Sequence, residues 1–150
     1  MDKVIESARK LGLKVALRRL AVPTKTAGDA AAAVGCDQAQ IAKSLVFVAD
    51  GDPVMCITSG TNRVDLHLLA DVLDAAETRQ ASPNEVRAAT GFAVGGVSPF
   101  GHDLPVVLDE SLLGYGEIWA AGGDGYTVFA VEPAKLVSAT KATVAAVAAP

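Results

Sequence analysis

Gly95-Gly96-Val97-Ser98-Pro99-Phe100-Gly101 packs three glycines and a proline into seven residues. Glycine takes positive φ readily and lets other groups come close to the main chain. Pro99 fixes its own φ, has no N–H to donate and biases Ser98 toward an extended conformation. The chain must form an irregular loop here, between a helix that ends near Thr90-Gly91 and a strand that begins at Pro105. Two readings are open. The stretch is a tight helix-to-strand connection, or it aims several N–H groups into one concavity, as backbone nests do for anions.

The flanking sequence predicts an α+β fold. Val4, Ile5, Ala8 and Leu11 recur at helical spacing, so residues 2–11 read as an amphipathic helix closed by Gly12. Residues 14–20 read as a strand ended by Pro23. Thr26 and Asp29 form an N-cap pair before Ala30–Val34, and Gly35 stops that helix. Asp37 with Gln40 resembles a capping box. Leu45–Val48 and Val54–Thr58 are strands joined at the hairpin signal Asp50-Gly51. Val64 to Leu73 is helical. Ser82-Pro83-Asn84-Glu85 opens another helix, with cap, N1 proline and N3 glutamate in place. Pro105–Leu108 is a short strand. Ile118–Ala121 and Tyr126–Val131 make a second hairpin, and Pro133–Leu136 is a helical turn before a last short strand. The Ala/Val tail from Ala142 carries little information and reads as a frayed helix. Strands grouped in hairpins with helices between them imply one domain over residues 1–150. Its architecture is a mixed sheet or partly closed barrel flanked by helices.

Composition narrows the function. A chain of 150 residues buries a real core. No apolar run approaches the ~18 residues of a membrane span, and the charged start lacks a signal-peptide core, so a cytoplasmic protein is expected. Cys36 and Cys56 are far apart in sequence and read as reduced thiols, with no zinc-ligand spacing. Residues 1–25 hold seven basic residues against Asp2 and Glu6, although the whole chain has a net charge of −4. Such a flank is either a solvated surface or a contact for a polyanion.

No nucleophile–base–acid set and no nucleotide-binding or zinc-protease motif is present. His67 lies among apolar residues and reads as a partly buried structural histidine, and Cys56 as a packed small hydrophobe. His102, just after the glycine loop, is the better candidate for a ligand contact. Lys43, at the mouth of the Leu45–Val48 strand, is either a surface lysine or a ligand for phosphate or carboxyl in a cleft.

Three segments then share an order and spacing: Thr26…Ala30-Ala31-Ala32…Gly35, Gln40-Ile41-Ala42-Lys43-Ser44-Leu45, and the glycine loop. Together they resemble the YbaK/EbsC family of aminoacyl-tRNA editing domains, which includes the insertion domain of bacterial prolyl-tRNA synthetase. The resemblance runs from about residue 3 to residue 139, and Gly95 and Pro99 match the ends of the family's G-x-x-x-P motif. It implies trans-editing hydrolysis of the ester between a mischarged small amino acid (alanine, serine or cysteine, on tRNA-Pro) and the tRNA 3′ adenosine. Lys43 matches the lysine that holds the terminal nucleotide. Gly95, Gly96, Val97, Ser98 and Pro99 match the segment whose backbone holds the aminoacyl carbonyl or a water. Phe100, Gly101, His102, Thr26 and Arg18 are the further expected substrate contacts. The implied partner is the acceptor end of an aminoacyl-tRNA, with a synthetase as a second candidate; no cofactor, metal or membrane is implied. The family's cysteine-specific branch carries a polar or acidic residue in the last hairpin, where this chain has Tyr126-Thr127-Val128-Phe129. The alternative function is a non-catalytic module that binds a nucleotide or an uncharged tRNA 3′ end in the same cleft.

Overall fold

A computed structural model describes residues 2–150. Helix α1 (Asp2–Lys10) ends before Gly12, whose φ is +82°, and buries Val4 and Ala8, one turn apart. Leu13, Val15 and Leu17 pack on the core, but only Arg18–Arg19 (β1) pairs, opposite Val128 and Thr127. The strand expected over residues 14–20 is therefore two residues long, because a ladder forms only where a partner edge is offered. Helix α2 (Ala27–Val34) starts at Thr26, whose Oγ1 accepts from the Asp29 amide at 3.1 Å, and stops at Gly35 with φ +78°. A 3₁₀ turn over Gln38–Gln40 follows, and the Asp37 amide donates to Gln40 Oε1 at 3.1 Å.

Strands β2 (Ile41–Ala49) and β3 (Asp52–Ser59) form the long central hairpin, turning at Asp50-Gly51, both at positive φ. Helix α3 (Leu66–Leu73) is capped by Asp65, whose carboxylate accepts from two amides. Strand β4 (Thr78–Gln80) precedes α4 (Pro83–Thr90), which opens with the Ser82/Glu85 capping box. Strand β5 (Val106–Asp109) follows the glycine loop. Then come β6 (Ile118–Ala121), β7 (Thr127–Val131), α5 (Pro133–Thr140) and β8 (Thr143–Ala145). The sheet runs β1-β7-β6-β2-β3-β5-β8, with β4 also on β2. Pairs β2/β6, β3/β5 and β5/β8 are parallel and the others antiparallel, so the sheet is mixed and the fold α+β, as expected.

Alternation along β3 separates two cores. Met55 and Ile57 join Phe100, Leu108, Phe129 and Leu136 on one side; Val54 and Cys56 join Phe47, Leu69, Val107 and Val147 on the other. Two expectations change. The tail is not a frayed helix: Val107, Leu108 and Asp109 of β5 pair with Thr143, Val144 and Ala145, and Val147 is fully buried. The open edge of β5 and the β-branched pair Thr143-Val144 favour strand over helix. His67 is exposed on α3, because that helix turns Leu69 and Ala70 inward instead.

Candidate active site

The site begins with a split in the sheet. One edge of β2 is paired to β3 from Ala42 to Ala49. On the other edge β6 pairs only with Ile41 and Ala42, and β4 only with residues 47–49. Between them, residues 43–46 face no strand among the described residues, and a backbone bond there runs from the Ala81 amide to the Val46 carbonyl at 3.1 Å. Ser44, two residues before Val46, directs its own N–H and C=O to the same side. Its side-chain oxygen is buried and has no hydrogen-bond partner among the described residues.

A cleft of about 250 Å³ opens at this split. Ala42, Lys43 and Ser44 form its floor. The cleft is lined further by Thr26, the N-cap of α2, by Ala27 and Ala30 of that helix, by Val94, Gly95 and Val97, and by Ala120 and Val128. No histidine or carboxylate lines it among the described residues. Of Tyr126-Thr127-Val128-Phe129, Val128 is the one in the wall. The Tyr126 ring lies under the Arg19 guanidinium at 5.0 Å, and Thr127 is buried.

Lys43 lies within β2 rather than ahead of it, because the strand begins at Ile41 where β6 pairs. Its Nζ donates to the Asn62 carbonyl at 3.0 Å. Burial holds its pKa below the ordinary lysine value, Arg63 lowers it further, and Asp109 opposes both. Asn62 Nδ2 in turn donates to Asp109 Oδ2 at 2.9 Å and to Ser111 Oγ at 3.1 Å. Asp109 is fully buried and also accepts from Thr58 Oγ1 and from the Ser59 and Ser111 amides. Burial pushes its carboxyl up, and the bonds from Asn62, Ser111, Ser59 and Thr58 together outweigh that and leave it lowered.

The glycine loop is held from behind. Gly95 has φ +95°, and a Cβ built there meets no atom within 4 Å. At Gly96 a Cβ would lie 2.5 Å from Asp124 Cα, so this position is glycine because the tip of the β6–β7 turn lies against it. The Gly96 amide donates to the Ala93 carbonyl at 3.0 Å. The N–H groups of Gly95 and Val97, the loop residues in the cleft wall, donate to no group among the described residues.

The expected site residues thus divide. Lys43, Gly95, Val97 and Thr26 line one cleft. Gly96, Ser98 and Pro99 support the loop from inside, with Ser98 Oγ accepting from the Phe100 amide at 3.0 Å. Four expected substrate contacts lie outside the cleft wall. Phe100 is 1% exposed and stacks on Phe129 at 5.6 Å, since a large apolar ring gains more from the core than from a polar cleft. Gly101 faces Ser7 and Phe92. His102 staples the loop: Nδ1 accepts from the Leu104 amide at 3.0 Å and Nε2 meets the Pro99 carbonyl at 2.9 Å. Arg18 is exposed outside the cleft wall and reaches the Ala33 carbonyl at 3.4 Å. Cys56 is buried and its thiol is pushed up to about 12, chiefly by burial, so it is no nucleophile. Sequence reasoning missed Asp109 and Asn62; the available signal was an acid ending the apolar run Val106–Leu108.

Comparison with known proteins decides the family. The aminoacyl-tRNA editing domain family matches residues 21–139. The chain belongs to that family. It is 36% identical over 114 residues to the uncharacterized protein YwhH of Bacillus subtilis (strain 168), covering 74% of this chain and 72% of that one. It is 37% identical over 99 residues to the proline–tRNA ligase of Solidesulfovibrio magneticus; that match covers 65% of this chain but only 17% of the ligase. A crystal structure of a proposed trans-editing enzyme for prolyl tRNA synthetase superposes with a TM-score of 0.93 at 42% identity, covering 99% of this chain and 96% of that one. The editing domain described here thus shares both its fold and a large part of its sequence with that protein.

Proposed function

We propose that this editing domain is a trans-acting deacylase that hydrolyses the ester between a mischarged small amino acid and the 3′ adenosine of a tRNA. Alanine, serine or cysteine on tRNA-Pro are the leading substrates. The observation that supports the reading is that Lys43, Gly95 and Val97 line one small, mostly apolar cleft, and that the Gly95 and Val97 N–H groups have no acceptor among the described residues. An ester is already activated, so its hydrolysis needs positioning and a place for the developing oxyanion more than a strong base. Water adds to the carbonyl carbon, the ester C–O bond breaks, and a proton passes to the departing ribose oxygen. The Gly95 and Val97 amides suit the oxyanion, and one such donor is worth about 3 kcal/mol in the transition state. Lys43 suits the terminal phosphate as a point charge. The walls of Ala42, Ala120 and Val128 leave room for a small side chain and offer no charged partner to it. Such a substrate places the protein in the cytoplasm and makes a prolyl-tRNA synthetase the source of its mischarged ester.

The test is deacylation of a panel of mischarged tRNAs by the wild-type chain and by Lys43→Ala. We expect hydrolysis of at least one small-amino-acid ester. In the variant kcat/KM should fall by the value of a charge-assisted contact, about 1.5–3 kcal/mol. Binding of the tRNA 3′ end without hydrolysis of any ester would replace this reading with the binding-module one.

A further inference from the structure

We propose that Asp109 is a positioning residue for Lys43, acting through the turn that Asn62 closes. The role rests on the deacylase reading above, in which Lys43 holds the terminal nucleotide. Asp109 ends β5 after three apolar residues, where another apolar residue would fill the same core space. Instead a fully buried carboxylate gathers four donors: Thr58 Oγ1 at 2.9 Å, the Ser59 amide at 3.2 Å, Asn62 Nδ2 at 2.9 Å and the Ser111 amide at 3.0 Å. A buried charge is retained only when hydrogen bonds satisfy it in this way.

Three of the four donors belong to the end of β3 and the turn that follows it. What the carboxylate fixes is therefore the path from Thr58 to Asn62. The output of that path is one group, the Asn62 carbonyl, which accepts from Lys43 Nζ at 3.0 Å. A lysine side chain is a flexible stem with a point charge at its end, and it aims poorly without such an anchor. Asp109 has a second effect on the same ammonium. Arg63, next to Asn62 in the chain, repels it, and Asp109 is the acid that opposes that repulsion. Lys25 is the other charged residue lining the cleft.

The experiment measures the reactivity of Lys43 itself. The full chain is labelled with acetic anhydride at mildly alkaline pH, and acylation of each lysine is read by mass spectrometry, with exposed Lys10 as internal reference. In Asp109→Asn the ammonium loses its counter-charge, and in Asn62→Ala the turn loses its tie to Asp109. Lys43 labelling should rise at least about twofold in both, as expected for loss of a nearby charge or of an anchor. Ser111→Ala, which leaves the Asp109–Asn62 bond in place, should leave labelling unchanged. On whichever ester the wild type hydrolyses, Asn62→Ala should raise KM as well as lower kcat, and the alkaline limb of the Asp109→Asn rate profile should move to lower pH. A merely structural Asp109 would lower thermal stability and move none of these. If Asp109→Asn does not fold, Asn62→Ala decides, because it leaves the other three donors to Asp109 intact. Unchanged Lys43 labelling in a folded Asn62→Ala protein overturns the proposal. A wild type that hydrolyses no ester overturns the deacylase reading instead, and the labelling still tests the link from Asp109 to Lys43.

Discussion

The two sides of the cleft are built by opposite means. The glycine loop is shaped by what its residues lack: no Cβ at Gly96, where the β6–β7 turn lies against it, and none at Gly95, where φ is +95°. The Lys43 side is shaped by what its residues carry, a part-buried chain of hydrogen bonds from the Asp109 carboxylate to the Asn62 side chain and from the Asn62 main-chain carbonyl to the Lys43 ammonium. The first is damaged by adding an atom, the second by removing one. A loop defined by backbone is rigid and chemically uniform. A side defined by ionisable groups responds to pH and to its neighbours.

The sharpest way to break the comparison is to add one methyl at each glycine. Gly96→Ala must displace the Asp124 main chain, so we expect a loss of about 1–3 kcal/mol, as for overpacking, and a lower melting temperature. Gly95→Ala meets open space, and its cost is conformational, about 1 kcal/mol. Its kcat should fall in single-turnover deacylation while affinity for uncharged tRNA stays near wild type. Wild-type kcat in a folded Gly95→Ala protein would reduce the loop to an ordinary turn.

Acid sharpens the contrast more gently. The His102 staple needs a neutral ring, since Nδ1 accepts from Leu104. Its pKa lies below the ordinary histidine value, chiefly through burial, which outweighs the bond to the Pro99 carbonyl and the pull of Asp103. A group whose folded value is lowered contributes stability above its unfolded value, about 6.5 for histidine, and loses it as pH falls toward the folded value. Asp109 has the same sign in the carboxylate range. The loop should therefore weaken first and the Lys43 side only in stronger acid. Melting temperature followed against pH should lose its upper step in His102→Gln and keep it in Asn62→Ala; an identical profile in His102→Gln would rule the staple out as the source.

The smallest effect concerns the basic flank. Arg18 and Arg19 are exposed, and Arg19 reaches Asp124 at 3.8 Å, a surface pair that holds it weakly. If both touch tRNA phosphates, Arg18→Ala with Arg19→Ala should lower the slope of log affinity against log salt by roughly 0.7–0.9 per contact. An unchanged slope would leave the flank as solvated surface.

Much of this was legible in the chain. Caps, glycine stops and hairpin signals are local, and Thr26, Ser82, Asp50-Gly51 and Gly35 fall where such signals put them. Lys43 and Gly95 could be paired only through the family resemblance, because nothing local links positions that far apart. Phe100 and His102, expected as ligand contacts, do not line the cleft, because adjacency to a loop says nothing about which way a ring turns. The tail and β4 were hidden for a related reason: each is a three-residue strand that exists only because β5 or β2 has an edge to offer. The acid at the end of Val106–Leu108 hints at a role for Asp109, but its link to Asn62 is not legible in the chain, because a polar network is a property of three-dimensional neighbours.

The split beside β2 has a consequence for solvent. Ser44 and Ile57 are register partners across the central hairpin, and both belong to its interior. The amide of Ile57 is covered by β5, which pairs Ile57 with Leu108. The amide of Ser44 opens onto the cleft. Two residues at the same height in one hairpin therefore differ in hydrogen–deuterium exchange: Ile57 exchanges only when the sheet itself opens, whereas Ser44 exchanges from the folded protein at a rate set by water in the cleft. A bound 3′ end would slow Ser44 and leave Ile57 as it was, which makes one amide in the middle of the longest strand a reporter of occupancy.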